Sequence, residues 1–155
     1  MRIANREDLP RIVEIYNSTV ADRKATADTD TVTVDERQSW FEEHEPAHRP
    51  LLVEKYEGQV IGWLSFEDFY GRPAYAATAE ISIYLDKSYR SSGVGSRMLR
   101  EAIDMAPCLG IKNLVAFVFS HNVESIVCVR SSAFRCGVSY RMSHVWTVAS
   151  IRCPF

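Results

Sequence analysis

The residues best able to do chemistry lie in one segment, Glu80-Ile81-Ser82-Ile83-Tyr84-Leu85-Asp86-Lys87-Ser88-Tyr89-Arg90-Ser91-Ser92-Gly93-Val94-Gly95-Ser96. Its first half alternates Ile81, Ile83 and Leu85 against Ser82 and Tyr84, the period of a strand. Its second half, Arg-x-x-Gly-x-Gly, opens a helix. Gly93 and Gly95 leave the main-chain N–H groups there unobstructed. Several such donors at a helix N-terminus, reinforced by the peptide dipole and by Arg90, make a receptor for a pyrophosphate or similar anion. The spacing is not that of a phosphate loop, which needs Gly-Lys-Ser/Thr, nor the Gly-x-Gly-x-x-Gly of dinucleotide folds. Taken alone, a Gly-x-Gly turn reads equally well as a tight strand-to-helix connection.

The elements that hold this segment are legible on both sides of it. Asp8 precedes Leu9, Ile12, Val13, Ile15 and Tyr16 at helical spacing, which predicts an amphipathic helix over 8–20 with Asp8 as its N-cap. A polar loop over 21–33 follows. Asp35-Glu36-Arg37-Gln38 then leads into Trp40 and Phe41, a second helix whose acidic first turn suits the dipole and which Pro46 and Pro50 end. Pro50 to Tyr56, the turn Glu57-Gly58-Gln59, and Val60 to Phe66 predict a hairpin, and Thr78 to Leu85 a further strand. A helix from about Gly93 carries Val94, Met98, Leu99, Ala102, Ile103 and Met105 on one face, and Leu114 to Phe119 reads as a buried strand. The order β-α-α-β-β-β-α-β, without repeats or low-complexity linkers, predicts one mixed α/β layer structure.

The 155 residues give room for one domain. A hydrophobic share of 46% with 25% charged residues is that of a globular chain and excludes collagen-like, disordered and disulfide-scaffold classes. No apolar run approaches the roughly 20 residues that a bilayer needs. The opening Met1-Arg2-Ile3-Ala4-Asn5-Arg6 lacks an apolar stretch, so the expectation is a cytoplasmic protein without a membrane partner. Residues 1–125 hold 14 Lys and Arg against all 20 Asp and Glu, and an acidic body repels phosphate, which argues against nucleic acid. No Cys-x-x-Cys or His-x-x-His pair exists, so no metal is expected.

Arg90 to Gly95 resembles the acetyl-CoA signature of the GCN5-related N-acetyltransferases (GNAT), Gln/Arg-x-x-Gly-x-Gly/Ala after the fourth strand. The likeness narrows to the phosphinothricin and methionine sulfoximine acetyltransferase subgroup. It is carried by Trp40-Phe41, Gly62-Trp63-Leu64-Ser65-Phe66, Arg72-Pro73-Ala74-Tyr75, Thr78 to Leu85, and His121-Asn122-x-x-Ser125-Ile126. Nearly the whole of 1–126 is covered. The resemblance implies a GNAT fold, with a mixed central sheet whose fourth and fifth strands splay apart and with flanking helices. It implies that acetyl-CoA bonds the main chain of Ile83, Tyr84 and Leu85, that its pyrophosphate sits on Arg90, Ser91, Ser92, Gly93, Val94, Gly95 and Ser96, and that Asn122 contacts it. A helix-cap role is the alternative for Asn122.

Acetyl transfer needs an amine stripped of its proton and a thioester held at attack distance. The resemblance implies Glu80 as the base, against the alternative of an ordinary strand carboxylate. Tyr84 shares its side of the strand with Ser82 and Glu80 and reads as a packing residue. An amino-acid-like acceptor carries a carboxylate and a second polar head, so its site needs a cation and an aromatic wall. Arg72 and Tyr75 in 68–76 are the candidates, with one of Trp40 and Phe41 at the site mouth and the other in the core. The resemblance also implies a homodimer. A non-catalytic CoA-binding protein is one alternative function, and acetylation of protein N-termini or another amine, which predicts an acidic groove, is the other.

The end of the chain is compositionally foreign. From 126 on there are four Arg, no acid, no Leu, and three of the four cysteines, Cys128, Cys136 and Cys153. The resemblance stops after Ile126, where the family continues roughly S-I-x-L-x-E-K-L-G-F. Reading the codons from Val127 at their third base permits that pattern, with L-G-F at 132–134, and forces an aspartate across Trp146 and Thr147. The expectation is therefore a family-like part, 1–126, and a divergent tail, 127–155, translated out of frame, with activity reduced or absent in consequence. The tail still alternates Val138, Tyr140, Met142, His144, Trp146 and Val148, so it can pair as a strand, with His144 buried or at an edge.

Overall fold

Strand alternation in the middle of the chain and helical spacing around it are realised in a computed structural model that describes residues 1–132, 134–141 and 145–153. The strands are β1 (Arg2–Ile3), β2 (Leu51–Tyr56), β3 (Gln59–Asp68), β4 (Thr78–Leu85), β5 (Asn113–Phe119), β6 (Arg135–Arg141) and β7 (Val145–Arg152). The helices are α1 (Leu9–Val20), α2 (Gln38–Glu42), α3 (Val94–Met105) and α4 (Val123–Ser131). One mixed sheet runs β1-β2-β3-β4-β5-β7-β6, with β4 and β5 parallel and the other neighbours antiparallel.

The two-residue period of β3 and β4 sorts their side chains onto two faces. Leu64, Phe66, Ile81 and Ile83 pack with Met98, Leu99, Ala102 and Leu114 beneath α3. Trp63 and Tyr84 pack with Ile12, Tyr16 and Val20 of α1, and Trp63 Nε1 donates to the Ile12 carbonyl at 3.1 Å. Gly62 leaves no room for a side chain, since a Cβ there would lie 2.4 Å from Leu85 Cδ2 and 2.9 Å from the Tyr84 carbonyl oxygen.

Three expectations are corrected. Asp8 stands at the N-cap of α1 without capping it. Its carboxylate turns back instead, accepting from the Asn5 N–H at 2.9 Å and pairing with Arg2 at 2.7 Å. The second helix begins at Gln38, not Asp35, because Glu36 accepts the Thr33 N–H at 2.7 Å within a preceding turn. The tail forms α4 and a two-strand hairpin instead of one long strand. Val138 lies opposite Val148 and Tyr140 opposite Trp146, so the alternation passes through a reversal of direction with its parity kept. Met142 and His144 lie outside the described residues. β7 occupies the place beside β5, in register from Asn113↔Arg152 to Phe119↔Trp146.

Candidate active site

β4 and β5 pair at Thr78↔Asn113, Ala79↔Leu114 and Glu80↔Val115, and the ladder stops there. β3 follows β4 much further, to Gly62↔Leu85. From Ile81 onward the outer edge of β4 therefore faces a cleft of about 620 Å³, walled opposite by Ala116 to Phe119 and by α4. Ile83, Tyr84 and Leu85 line it, the splay that the family resemblance implied.

At the mouth of the cleft the chain turns from β4 into α3. Asp86 accepts the Ser88 N–H at 2.8 Å, which holds its carboxyl below the usual range, and pairs with Arg11. Arg90 Nε donates to the Leu85 carbonyl at 3.1 Å, so the guanidinium is tied to the end of the cleft-lining strand. Gly93, at φ +84°, takes the left-handed conformation that a residue with a Cβ resists, and its Cβ direction is open space. Beyond it the first-turn N–H groups of α3 have no helical acceptor. Arg90, Ser91, Gly93, Gly95 and Ser96 line the cleft. Ser92 turns its hydroxyl back to the Tyr89 carbonyl at 2.6 Å, and Val94 packs into the core beneath the sheet.

Asn122 lines the same cleft with both polar ends spent. Its side-chain oxygen accepts the Ser125 N–H at 3.1 Å, capping α4, and its amide donates to the Lys24 carbonyl at 2.9 Å. His121 Nε2 lies 3.1 Å from the Arg23 carbonyl. On the other bank Asp22 pairs with Lys87 at 3.5 Å and Arg90 at 3.3 Å. The loop after α1 thus straps one bank of the cleft to the other.

A second cavity, of about 180 Å³, lies on the α1 side of the sheet. Its walls include Tyr16, Trp40, Trp63 and Tyr84, with Arg37 and Glu67 as its charged residues. Ser82 and Tyr84 line both cavities, so the same stretch of β4 borders each of them. Glu80 stands two residues before Ser82, at the last paired position. Across β3–β4 it faces Glu67 in register. Burial, and secondarily the Glu67 charge, push the Glu80 carboxyl above its ordinary value. Glu67 is itself held, accepting from Trp40 Nε1 and Ser65 Oγ, both at 3.2 Å. Tyr84 stacks on Trp63 at 4.5 Å, and burial raises its phenol well beyond the usual value, which fits packing and not acid chemistry.

Trp40 reaches the cavity while Phe41 packs beside it in the α1-side core. Arg72 and Tyr75 do not line the cavity. They stand on the loop after β3, whose base is clamped by buried Arg49, 2.7 Å from Asp68 and donating to the Ala76 carbonyl at 2.8 Å. Tyr75 packs edge-on to Phe69, which stacks over Phe117 of β5. Arg37 and Glu67 escaped the sequence reading. The parity of Trp63, Ser65 and Glu67 was a usable signal for Glu67, while Arg37 looked like one more charge in an acidic helix start.

The sheet thus parts beside a helix N-terminus, with Glu80 at the last paired position and outside the residues that line either cavity. Residues 10–134 match the acetyltransferase (GNAT) family, and the chain belongs to it. The chain is 53% identical over 127 residues, 81% of its length and 77% of the relative, to YwnH of Bacillus subtilis (strain 168). It is 33% identical over 126 residues, 81% of its length and 74% of the relative, to the L-methionine sulfoximine/L-methionine sulfone acetyltransferase of Salmonella typhimurium. A phosphinothricin acetyltransferase from Sinorhizobium meliloti, solved in complex with AcCoA, superposes with a TM-score of 0.92 at 26% identity, covering 98% of this chain and 86% of that one. Among the described residues no cluster of three or more His, Cys, Asp or Glu could hold a metal ion, and no helix is long and apolar enough to cross a membrane.

Proposed function

We propose that this acetyltransferase moves the acetyl group of acetyl-CoA to the primary amine of a small amino-acid-like acceptor of the phosphinothricin or methionine sulfoximine type. The observation that carries the reading is that Ser82 and Tyr84, two and four residues along β4 from Glu80, line both cavities. Acetyl-CoA supplies an activated acetyl group as a thioester. The open edge of β4 at Ile83 to Leu85 fits its amide-bearing arm, and Arg90, Ser91, Gly93, Gly95 and Ser96 fit its pyrophosphate, with Ser92 and Val94 fixing the turn. The carboxyl of Glu80, raised by burial and so a better proton acceptor than a free glutamate, takes a proton from the acceptor ammonium, directly or through water. The freed amine attacks the thioester carbonyl, a C–N bond forms as the C–S bond breaks, and the second proton shed by the nitrogen passes to the departing thiolate, so that an amide and CoA thiol leave. Trp40 walls the acceptor. Arg72 and Tyr75, on the loop after β3, are kept as further contacts for the acceptor although they line neither cavity.

One domain accounts for the chain. We assign its tail from about 127 to out-of-frame translation of an ancestral gene, a reading that falls if no single-base insertion or deletion near codon 127 restores the family pattern. A cytoplasmic homodimer, which the family resemblance implies, completes the proposal; a monomer mass in light scattering counts against it. The central test is a thiol-release screen with acetyl-CoA over amino acids, sulfoximines, phosphinothricin and polyamines. Turnover is expected with carboxylate-bearing amines. Turnover confined to polyamines, or none, overturns the reading.

A further inference from the structure

We propose that Arg37 is the anchor for the acceptor's α-carboxylate and sets the enzyme's preference for amino acids over simple amines. The inference deepens the functional reading above and rests on it. Arg37 is the cation among the lining residues of the 180 Å³ cavity, and Ser82 lines the same space, beside Glu80. A ligand small enough for that volume, with its amine at Ser82, has its carboxylate within the same walls as Arg37.

The guanidinium is also prepared for the task. It lies 4.7 Å from the ring centre of Tyr16 and 5.3 Å from that of Trp40, so its planar fork is held between two aromatic faces instead of moving freely in solvent. Its charge partner among the described residues is Asp28 at 3.6 Å, beyond hydrogen-bond reach. That same Asp28 oxygen already accepts from the Tyr16 hydroxyl at 2.5 Å. The fork therefore keeps donors for a bidentate carboxylate. The other charge in the cavity, Glu67, is occupied by Trp40 and Ser65 and repels a carboxylate, which orients the ligand with its acid end toward Arg37.

The test compares acceptor pairs that differ in the carboxylate alone: methionine sulfone and 3-(methylsulfonyl)propylamine. Initial rates are measured for the parent, Arg37→Gln, Arg37→Lys and Arg72→Gln, with thermal melts to verify folding. Arg37→Gln is expected to lower kcat/KM for methionine sulfone by roughly tenfold or more, the scale of one lost charged contact. It should leave the propylamine and the KM for acetyl-CoA within about twofold, and Arg37→Lys should recover part of the loss. Equal losses on both acceptors would make Arg37 a packing residue, and a selective loss in Arg72→Gln alone would move the anchor to the loop; either result overturns the proposal. A parent that acetylates the propylamine but not methionine sulfone overturns the amino-acid reading itself, and this inference with it.

Discussion

The two edges of β4 are built on opposite principles. Against β3 the strand is paired from Ala79 to Leu85, so every side chain has a fixed partner: Glu80 faces Glu67, Ser82 faces Ser65, Tyr84 faces Trp63. Against β5 the pairing ends after three residues, and the main chain beyond it is left free to pair with something else. The closed edge fixes which side chains face one another. The open edge leaves main-chain groups facing the cleft, which no choice of side chain can supply or easily remove.

That contrast predicts unequal and separable effects. The largest belongs to the closed edge. Glu80→Gln should lower kcat at neutral pH by roughly a hundredfold or more, the low end of a general-base contribution, with acetyl-CoA affinity unchanged because the open edge is untouched. Steady-state kinetics across about pH 6–9 checks this, and equal turnover throughout that range would remove Glu80 from the reaction. Next comes the mouth of the open edge. Gly93→Asp should weaken acetyl-CoA binding by roughly tenfold in calorimetry, through the left-handed strain of about 1–2 kcal/mol and a negative charge set against a pyrophosphate. Gly93→Ala, with open space at its Cβ, carries the strain without the charge and should lose less. The smallest effect sharpens the register argument. Glu67→Gln removes the like charge opposite Glu80, so the Glu80 carboxyl falls toward its ordinary value and the acid limb of kcat/KM moves to lower pH. An unmoved limb would mean that burial alone raises Glu80. The sign for stability is the reverse of a salt-bridged acid. A raised carboxyl favours the fold fully below its unfolded pKa, and that contribution is lost as pH rises through the folded value. The parent should therefore lose more thermal stability than Glu80→Gln between acid and neutral pH.

Much of β4 and the turn after it was readable from the sequence because both are local: alternation declares a strand, and Arg-x-x-Gly-x-Gly declares an open helix start. The parting of β4 from β5 was not. It is a failure of pairing between segments some thirty residues apart, and it came from family resemblance, not from periodicity. The facing of Glu67 and Glu80 was hidden for a related reason, since the connection between β3 and β4 is too long to fix register as a tight hairpin does. In the tail the hairpin was missed because its one glycine, Gly137, marks the bulge between Cys136 and Val138 and not the turn, while the polar–apolar rhythm runs on unbroken through the reversal.

The strap over the cleft carries a consequence for how the protein comes into being. Asp22 reaches a partner 68 positions away, and Arg23 and Lys24 reach partners 98 positions away. Contacts of such span reward the chain only after a large loop has been closed, so they cost more chain entropy than the local hairpin of β2 and β3 or the turn from β4 into α3. A nascent chain that has already made the Gly93 turn still lacks the far bank of its cleft until β5 and α4 have been synthesised and docked. The two-banked cleft thus belongs to the finished topology, not to the short motif by which the family is recognised.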